Sequence, residues 1–295
     1  MKLALGTAQF GMPYGIANRS GQLGEAEVSA ILHHAAAAGV TVVDTACLYG
    51  DSETVLGRFL PSAHCFKIVT KTPKFSAVAE ASVATALITA VSESCRRLNV
   101  TSVYGLLVHD ANDLLGSCGD IIWQTMEKLR ADGCVGRIGV SVYNGGQIDA
   151  LLLRYPFDLI QLPLSLLDQR LLQGGQLDQL HKRNIEVHAR SAFLQGVLLM
   201  TPETLPSRLA PLRPSLQEII WRSALLGISP LQAASRFVSS LPQVSAVVCG
   251  VDSLTHFNQL VTVFSKIGPS LSDCDVVACA CSDERALDPS QWLMG

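Results

Sequence analysis

Four polar side chains that can take part in proton transfer each lie at or just beyond the end of a short apolar run: Asp44, Tyr49, Lys71 and His109. A phenol is a weak acid, with an ordinary pKa of about 10. A neighbouring ammonium group lowers that pKa, and a carboxylate can serve as the counter-ion of the ammonium. We expect Lys71 to act on Tyr49 in this way, with Asp44 as its counter-ion, and His109 to contact a substrate oxygen. Such a set suits carbonyl reduction when another molecule delivers the hydride.

Each of these residues, taken singly, also has an ordinary structural explanation. Asp44 could cap a turn, Tyr49 could be a surface aromatic residue and Lys71 could be a solvated amine. A lone histidine such as His109 is more often structural than catalytic. Four suitable groups at successive strand ends are better explained by a catalytic site than by any shared structural need.

Eight runs rich in β-branched and apolar residues predict the strands that would bring these side chains together. They are Leu3-Gln9, Thr41-Ala46, Lys67-Lys71, Val103-His109, Arg137-Val142, Leu159-Leu164, Glu186-Ser191 and Ala246-Val251. Amphipathic stretches of helical period fill nearly every gap, so the strands should be parallel and joined by right-handed crossovers. Eight repeats favour a closed (β/α)8 TIM barrel over an open doubly wound α/β sheet. In such a barrel the active site lies at the C-terminal ends of the strands.

The helical stretches also suggest how the chain is divided. Examples are Glu25-Ala38, Ala77-Leu98, Asp120-Ala131 and Asp168-Arg183. Ser215-Leu226 and Pro230-Ser240 both lie between strands 7 and 8, which predicts one extra helix there. No linker rich in Pro, Gly or Ser interrupts the chain. We therefore expect a single domain, with a barrel over residues 1–265 and a C-terminal tail over residues 266–295 that packs on or near it.

Composition and charge narrow the classes of partner. Of the 295 residues, 48% are hydrophobic and 16% charged, which predicts a large buried core. The net charge is -3 and no run of Lys or Arg occurs, so the basic surface of a nucleic-acid or anionic-membrane binder is missing. A small molecule is the expected partner. No apolar stretch is long enough for a membrane helix and no secretory apolar region follows the N-terminus, so we expect a cytoplasmic protein.

The cysteines and the charges in the loops add two expectations. The nine cysteines lack paired spacing, which predicts reduced thiols. Their spacing is also not typical of a zinc site, so no metal site is predicted. The loops 110–119 and 193–214, where specificity is expected, hold few charged residues and so do not indicate a strongly anionic substrate. Neither the physiological substrate nor the oligomeric state can be predicted from the sequence.

Together these motifs resemble the aldo-keto reductase family. The likeness rests on Asp44-Gly50 (DTACLYG), on Thr70-Lys71 and on Leu106-His109, and it runs from Leu3 to about Val263. It implies that a reduced nicotinamide supplies the hydride and that Tyr49 protonates the carbonyl oxygen of an aldehyde, ketone or open-chain sugar. By the same resemblance, Asp44 and Lys71 tune Tyr49, and His109 orients the substrate.

The resemblance also implies a set of cofactor-binding residues. Thr7 and Asp44 would lie near the nicotinamide ribose, Ser141 and Gln161 would bind the carboxamide, and Ser191, Gln195 and Gly196 would cover the pyrophosphate. The stretch from Gly250 through His256 to Gln259 would place a helix N-terminus near the adenosine phosphates, a favourable place for anions.

Three positions depart from the family's pattern. Val142 replaces a common Asn, Arg190 stands where an aromatic residue often stacks on the nicotinamide, and Thr255-His256 replaces an Arg that binds the 2'-phosphate. Family habit favours NADP(H), with NAD(H) as the alternative. Two other functions stay open: an NAD-dependent sugar or alcohol dehydrogenase working in the oxidative direction, and a nicotinamide-binding regulatory protein with little turnover.

Overall fold

Eight parallel strands pair in chain order, and the eighth closes on the first to form a barrel. A computed structural model describes residues 1–61, 64–266 and 268–292. The strands are β1 Leu3–Gly6, β2 Val42–Asp44, β3 Lys67–Lys71, β4 Val103–Val108, β5 Val135–Ser141, β6 Leu159–Pro163, β7 Glu186–Arg190 and β8 Ala246–Gly250. The predicted (β/α)8 barrel is confirmed.

Helices surround the strands in the expected alternation. Within the described residues they are α1 Ala8–Gly11, α2 Glu25–Ala37, α3 Ser52–Phe59, α4 Val83–Leu98, α5 Ala111–Leu115, α6 Gly119–Ala131, α7 Gly145–Leu152, α8 Arg170–Gln173, α9 Gln176–Lys182, α10 Arg213–Leu225, α11 Pro230–Ser240, α12 Leu254–Ser265, α13 Asp273–Ala278 and α14 Glu284–Leu287. No described helix is long and apolar enough to cross a membrane. The helices bury their apolar faces against the outside of the barrel, where the larger hydrophobic core lies.

The inside of the barrel holds a second, smaller apolar layer. It consists of Ala4, Val42, Val69, Leu107, Leu159 and Ala246. Gly139 on β5 allows the neighbouring strand to approach closely, because a Cβ atom there would lie 1.6 Å from the carbonyl oxygen of Leu159. The strands are therefore buried on both faces, which explains why their sequences are nearly continuous apolar runs.

The N-terminal ends of the strands are closed by a group of polar side chains that we call the lower polar cluster: Lys67, Tyr104, Arg137, Glu186 and His188. The Tyr104 hydroxyl donates to Glu186 Oε2 at 2.6 Å, and His188 Nε2 lies 2.9 Å from Glu186 Oε1. Arg137 Nε is 3.2 Å from Glu186 Oε2, and Lys67 Nζ lies 4.9 Å from the centre of the Tyr104 ring. The apolar layer separates this cluster from the opposite end of the barrel.

The first strand is shorter than the sequence predicts. It ends at Gly6, and Ala8–Gly11 forms a helical turn where the strand was expected to continue to Gln9. Thr7 makes this turn because its backbone N–H and its hydroxyl both donate to the Asp44 carbonyl, at 3.0 and 2.9 Å. The turn anchors the end of β1 to the end of β2.

The chain between β7 and β8 holds α10 and α11, as predicted, and also three short 3-10 segments between residues 194 and 212. The described residues of the tail pack against these elements and against the loop that follows β6. The Ser215 hydroxyl donates to the Ala280 carbonyl at 3.0 Å, Arg222 pairs with Asp275 at 2.7 Å, and Cys281 N–H donates to the Leu167 carbonyl at 2.8 Å. No described tail residue lines the cleft at the C-terminal ends of the strands.

Candidate active site

A cleft opens at the C-terminal ends of the strands, partly towards solvent. Its walls come from the ends of β1, β2, β6, β7 and β8 and from the segments that follow them. This is the end of the barrel where the sequence predicts the active site.

Beneath the cleft, Asp44 and Lys71 form a buried ion pair. Lys71 Nζ donates to both carboxylate oxygens of Asp44 at 2.8 Å and to the Thr45 carbonyl at 2.9 Å, so all three of its hydrogens have acceptors. Gln161 Nε2 donates to Asp44 Oδ1 at 2.7 Å. A buried ion pair is tolerated when additional hydrogen bonds satisfy both partners. The predicted pairing of Asp44 with Lys71 is therefore present, and Gln161 supports it.

Tyr49 and His109 lie next to this pair. The ammonium of Lys71 is 5.0 Å from the centre of the Tyr49 ring, and the Tyr49 and His109 rings meet edge to face with centres 5.9 Å apart. Tyr49 and Asp44 line the cleft, whereas Lys71 and His109 are not among its lining residues. The four residues that the sequence predicts as a group are thus brought together, with Lys71 behind Tyr49.

The surroundings keep Tyr49 protonated. Burial, reinforced by the carboxylate of Asp44, raises the pKa of the Tyr49 phenol well above its ordinary value. The lowering expected from Lys71 does not prevail, because burial has the larger effect and both oxygens of Asp44 offset much of the ammonium charge. This differs from the sequence expectation, which considered the ammonium without the effect of burial.

The same surroundings keep His109 neutral. Burial, followed by the charge of Lys71, lowers the pKa of His109 to about 4, and Arg190 acts in the same direction. Its Nδ1 is buried and has no hydrogen-bond partner. A neutral imidazole can present one N–H to a substrate oxygen and does not compete with Tyr49 as a charged acid.

Two groups that the sequence analysis missed hold these residues in place. Glu53 is buried and accepts from the Thr70 hydroxyl at 2.6 Å and from Arg97 at 2.6 and 2.8 Å, which links α3, the residue before Lys71, and α4. Gly11 allows α1 to pack on the turn that carries Tyr49, since a Cβ there would lie 2.0 Å from the Tyr49 carbonyl oxygen. The only sequence signal for Glu53 is an acidic residue beside the apolar face of a predicted helix. No sequence pattern indicates the role of Gly11.

Most of the predicted cofactor-binding residues line the cleft. They are Thr7, Asp44, Gln161, Arg190, Ser191, Gln195, Gly196, Gly250 and His256. Ser141 is buried at the end of β5 and Gln259 is exposed on α12, and neither belongs to the lining. The cleft is also lined by Gln9, Tyr14, Ala17 and Asn18, which the sequence analysis did not assign to the cofactor, and by Phe193 and Asp252, which lie within stretches that it named.

Two loops meet over the cleft in a bridge that we call the cover, formed by residues 14–17 and 194–196. Gln195 makes the connection: its Oε1 accepts from Ile16 N–H at 3.2 Å, its Nε2 donates to the Tyr14 hydroxyl at 3.1 Å, and its carbonyl accepts from Ala17 N–H at 3.4 Å. Leu194 and Gln195 have φ values of +46° and +53°, a region that side chains other than glycine rarely adopt. Such backbone strain is concentrated at ligand clamps and active sites.

The far end of the cleft, at the N-terminus of α12, is acidic. Asp252 and His256 line it and are joined by a 3.1 Å contact from Asp252 Oδ1 to the ring Nδ1. Glu27 Oε1 accepts from the Leu254 N–H at 2.8 Å, and the Ser253 hydroxyl caps the helix by accepting from His256 N–H at 3.1 Å. The carboxylate of Asp252 therefore lines the cleft at the N-terminus of α12, and that of Glu27 lies against the same helix end outside the lining.

The whole sequence pattern, compared with known families, matches the Aldo/keto reductase family over residues 2–276. The chain belongs to this family. It is accordingly an NAD(P)-dependent oxidoreductase acting on small-molecule carbonyl compounds. The sequence has no significant match among proteins of curated function.

Solved structures of aldo-keto reductases share the fold. A glycerol dehydrogenase from Gluconobacter oxydans superposes with a TM-score of 0.71 at 23% identity, covering 94% of this chain and 90% of its own. An aldo-keto reductase from Bacillus halodurans in its holo form gives a TM-score of 0.72 at 19% identity, with the same coverage of 94% and 90%. At these identities the likeness establishes the barrel and not the substrate.

The cleft of this aldo-keto reductase fits a nicotinamide dinucleotide. It extends from Tyr49 to the N-terminus of α12 and offers both apolar and polar walls. Gln9 Oε1 is buried beside it and has no hydrogen-bond partner, which leaves an acceptor for a polar ligand group. Gly250 keeps the adjacent wall open, because a Cβ there would lie 2.7 Å from the Gln9 side chain.

Proposed function

We propose that this enzyme reduces the carbonyl group of an aldehyde, ketone or open-chain sugar to the alcohol, with Tyr49 as the proton donor. The observation that carries the proposal is the arrangement of a protonated phenol on the cleft wall, 5.0 Å from a buried ammonium and edge-on to a neutral imidazole. A reduced nicotinamide, when bound, supplies the hydride.

Each residue of the group has a defined part in this proposal. The Tyr49 hydroxyl donates its proton to the carbonyl oxygen as negative charge develops there. Lys71 stabilises the phenolate that remains, and Asp44 holds the ammonium behind the ring through both carboxylate oxygens. His109 donates its imidazole N–H to the same oxygen, which orients the substrate.

The direct test is a Tyr49→Phe variant. We expect it to reduce turnover of aldehydes by about a thousandfold or more, because the variant lacks the general acid and the neutral imidazole of His109 orients the oxygen without giving up a proton. Binding of the dinucleotide should persist, which is measured by quenching of protein fluorescence. Tyr104→Phe, at the opposite end of the barrel, is the matched control and should retain full turnover. Full activity of Tyr49→Phe would refute the assignment.

For the choice of cofactor, the acidic end of the cleft favours NADH. The resemblance alone favours NADPH, but Arg190 is the one Lys or Arg among the described lining residues and lies on the wall that holds Tyr49. A 2'-phosphate near Asp252 would be repelled, whereas a carboxylate can accept a hydrogen bond from a ribose 2'-hydroxyl. We give the carboxylates more weight than the family habit.

The prediction for the cofactor is tested by fluorescence titration. NADH should bind more tightly than NADPH by about tenfold, roughly the factor expected for one like-charge contact near the surface. Asp252→Asn should remove most of this difference by improving NADPH binding, while Asp132→Asn, on the loop after α6, is a neutral control. Tighter binding of NADPH than of NADH to the unaltered protein would contradict this prediction and support the preference expected from the family.

The same acidic end also supports the oxidative direction as a second candidate. An enzyme that prefers NAD(H) can oxidise an alcohol or sugar with NAD⁺, with Tyr49 receiving the proton in the reverse reaction. Rates measured in both directions with both cofactors separate the two candidates. Binding of a dinucleotide with no turnover in either direction would instead support a regulatory protein.

A further inference from the structure

Arg190, the last residue of β7, lies in the wall of the cleft that also holds Tyr49. Its guanidinium donates to the Val142 carbonyl at 2.9 Å, lies 3.4 Å from the Ser191 hydroxyl and stacks 4.2 Å from the centre of the Tyr143 ring. All three partners are neutral. These contacts fix the plane of the guanidinium and leave donors free, since an arginine has five N–H groups.

No carboxylate of the described residues forms an ion pair with Arg190, whereas several other partly buried arginines are paired. Arg97 pairs with Glu53 at 2.6 Å, Arg170 with Asp168 at 2.8 Å and Arg222 with Glu218 at 2.7 Å. A charge held partly out of water without a counter-ion is unfavourable. The guanidinium at the cleft is therefore suited to an oxyanion that comes with a ligand, which it can bind through two parallel hydrogen bonds.

The charge of Arg190 is felt at the reacting groups. It opposes the rise in the pKa of Tyr49, and it contributes to the low pKa of His109. The charge of Lys71 is compensated by Asp44, so Arg190 leaves a net positive charge at this end of the cleft. The other nearby cation, Lys74, is exposed and lies 3.9 Å from Asp110, so water and that carboxylate screen it.

We propose that Arg190 binds an oxyanion group of the carbonyl substrate, a carboxylate or a phosphate, and so makes the enzyme selective for anionic aldehydes or ketones. This rests on the proposed function of the cleft and adds the class of its substrate. The loops gave no indication of an anionic substrate because the charge is supplied by a strand end. The pyrophosphate of a dinucleotide is the other anion available, and the experiment below separates the two.

The kinetic test uses matched pairs of substrates. The ratio of kcat/KM for 4-carboxybenzaldehyde over benzaldehyde, and for glyceraldehyde 3-phosphate over glyceraldehyde, is measured for the unaltered enzyme and for Arg190→Met. We expect at least one ratio to exceed about tenfold in the unaltered enzyme and to fall about tenfold or more in the variant, as expected for loss of a charge-assisted pair of hydrogen bonds. The pair that responds identifies the oxyanion as carboxylate or phosphate.

Two further variants guard against a trivial explanation. Arg190→Lys keeps the charge and loses the planar fork, so it should retain part of the ratio. Lys74→Met removes a screened cation at the mouth and should change the ratio by less than about twofold. If kcat/KM in the unaltered enzyme is the same for the charged and the neutral substrate of each pair, the proposal is overturned even if every variant fails to fold.

A binding measurement separates this proposal from the proposed function. Benzoate and inorganic phosphate, with benzamide as the neutral counterpart, are titrated calorimetrically into the unaltered protein and Arg190→Met. Binding of an anion that requires Arg190, without turnover of any aldehyde, would leave the anion site standing and refute the reductase. Turnover of aldehydes without any preference for anions would support the reductase and refute the anion site. If Arg190→Met weakens NADH binding and leaves both substrate ratios unchanged, the guanidinium holds the cofactor and the proposal is wrong.

Discussion

At the scale of single residues, the proton of Tyr49 is controlled by burial and by the pairing of its neighbours. Lys71 is held by three acceptors, two of them on Asp44, so its charge is largely compensated before it reaches the phenol. The free phenol therefore keeps its proton, and His109 stays neutral beside it. The phenol is therefore in its protonated form throughout the neutral range.

This arrangement predicts an unusual pH profile for reduction with NADH. The pKa of His109 is lowered to about 4 and that of Tyr49 is raised, so both groups keep their working state across the neutral range. We expect kcat for reduction to be flat between about pH 6 and 9, and the rate of oxidation to rise with pH because Tyr49 must then accept a proton. A fall in the reduction rate centred near pH 6.5, the ordinary pKa of histidine, would contradict the burial of His109.

The sequence predicted which residues meet but not their protonation. Asp44, Tyr49, Lys71 and His109 come together because parallel strands end at one face, and this can be deduced from the order of strands and helices. The sequence analysis expected the pKa of Tyr49 to be lowered, whereas burial raises it. The depth of burial could not be deduced from the sequence. Glu53 was missed because its partners, Thr70 and Arg97, are distant in sequence.

At the scale of elements, the cover joins two loops through one side chain. Gln195, on the loop after β7, binds Tyr14 and Ile16 of the loop after β1, and its left-handed backbone is maintained by these contacts. A clamp held by a few polar contacts can open when they break, and it can then admit or release a ligand. We infer that the cover limits the rate at which a dinucleotide leaves.

The prediction for the cover is that Gln195→Ala speeds dissociation of NADH. Loss of two side-chain hydrogen bonds should raise the dissociation constant by about tenfold, mainly through the dissociation rate, which stopped-flow fluorescence measures. Gln243→Ala removes a hydrogen bond to Asp178 on the surface and serves as the control. An unchanged dissociation rate in Gln195→Ala would mean that the cover does not retain the ligand.

Strands and long helices were predictable because their burial repeats with a regular period, whereas the cover was not. Residues 14–17 lie in a loop without any periodic pattern, and the backbone of Gln195 is set by contacts with that loop. The same limit explains the end of β1: the bonds from Thr7 to Asp44 stop the strand, and they form only once β2 is in place. Elements fixed by distant contacts cannot be deduced from local sequence.

At the scale of the whole molecule, charged groups occupy both ends of the barrel and an apolar layer lies between them. The lower polar cluster centres on Glu186. Burial opposes ionisation of this carboxyl, but hydrogen bonds from His188 and Tyr104 prevail and lower its pKa to about 2. Charged groups at this end of a barrel serve stability, since catalysis takes place at the other end.

This yields a prediction about acid stability. Because the folded-state pKa of Glu186 is below its ordinary value, the carboxylate contributes fully above about pH 4.5, and the contribution is lost as the pH falls towards 2. Glu186→Gln should lower the free energy of unfolding at pH 7 by about 2 kcal/mol and flatten its dependence on pH in that window, as measured by urea denaturation. Turnover should be unchanged. Glu127→Gln, in an exposed pair at 4.0 Å, should affect neither. A loss of activity in Glu186→Gln equal to that of Tyr49→Phe would show that the two ends are coupled.

The apolar layer inside the barrel has a consequence for how such an enzyme can change over time. Val42, Val69, Leu107 and Leu159 lie between the charged groups at the open end and those of the lower polar cluster, and their apolar side chains cannot relay hydrogen bonds from one group to the other. Substitutions at the open end, such as those that alter a substrate's charge, can then accumulate without disturbing the anchor at the closed end. The residues that determine substrate choice and the residues of the lower polar cluster therefore lie at opposite ends of the barrel and can be substituted independently.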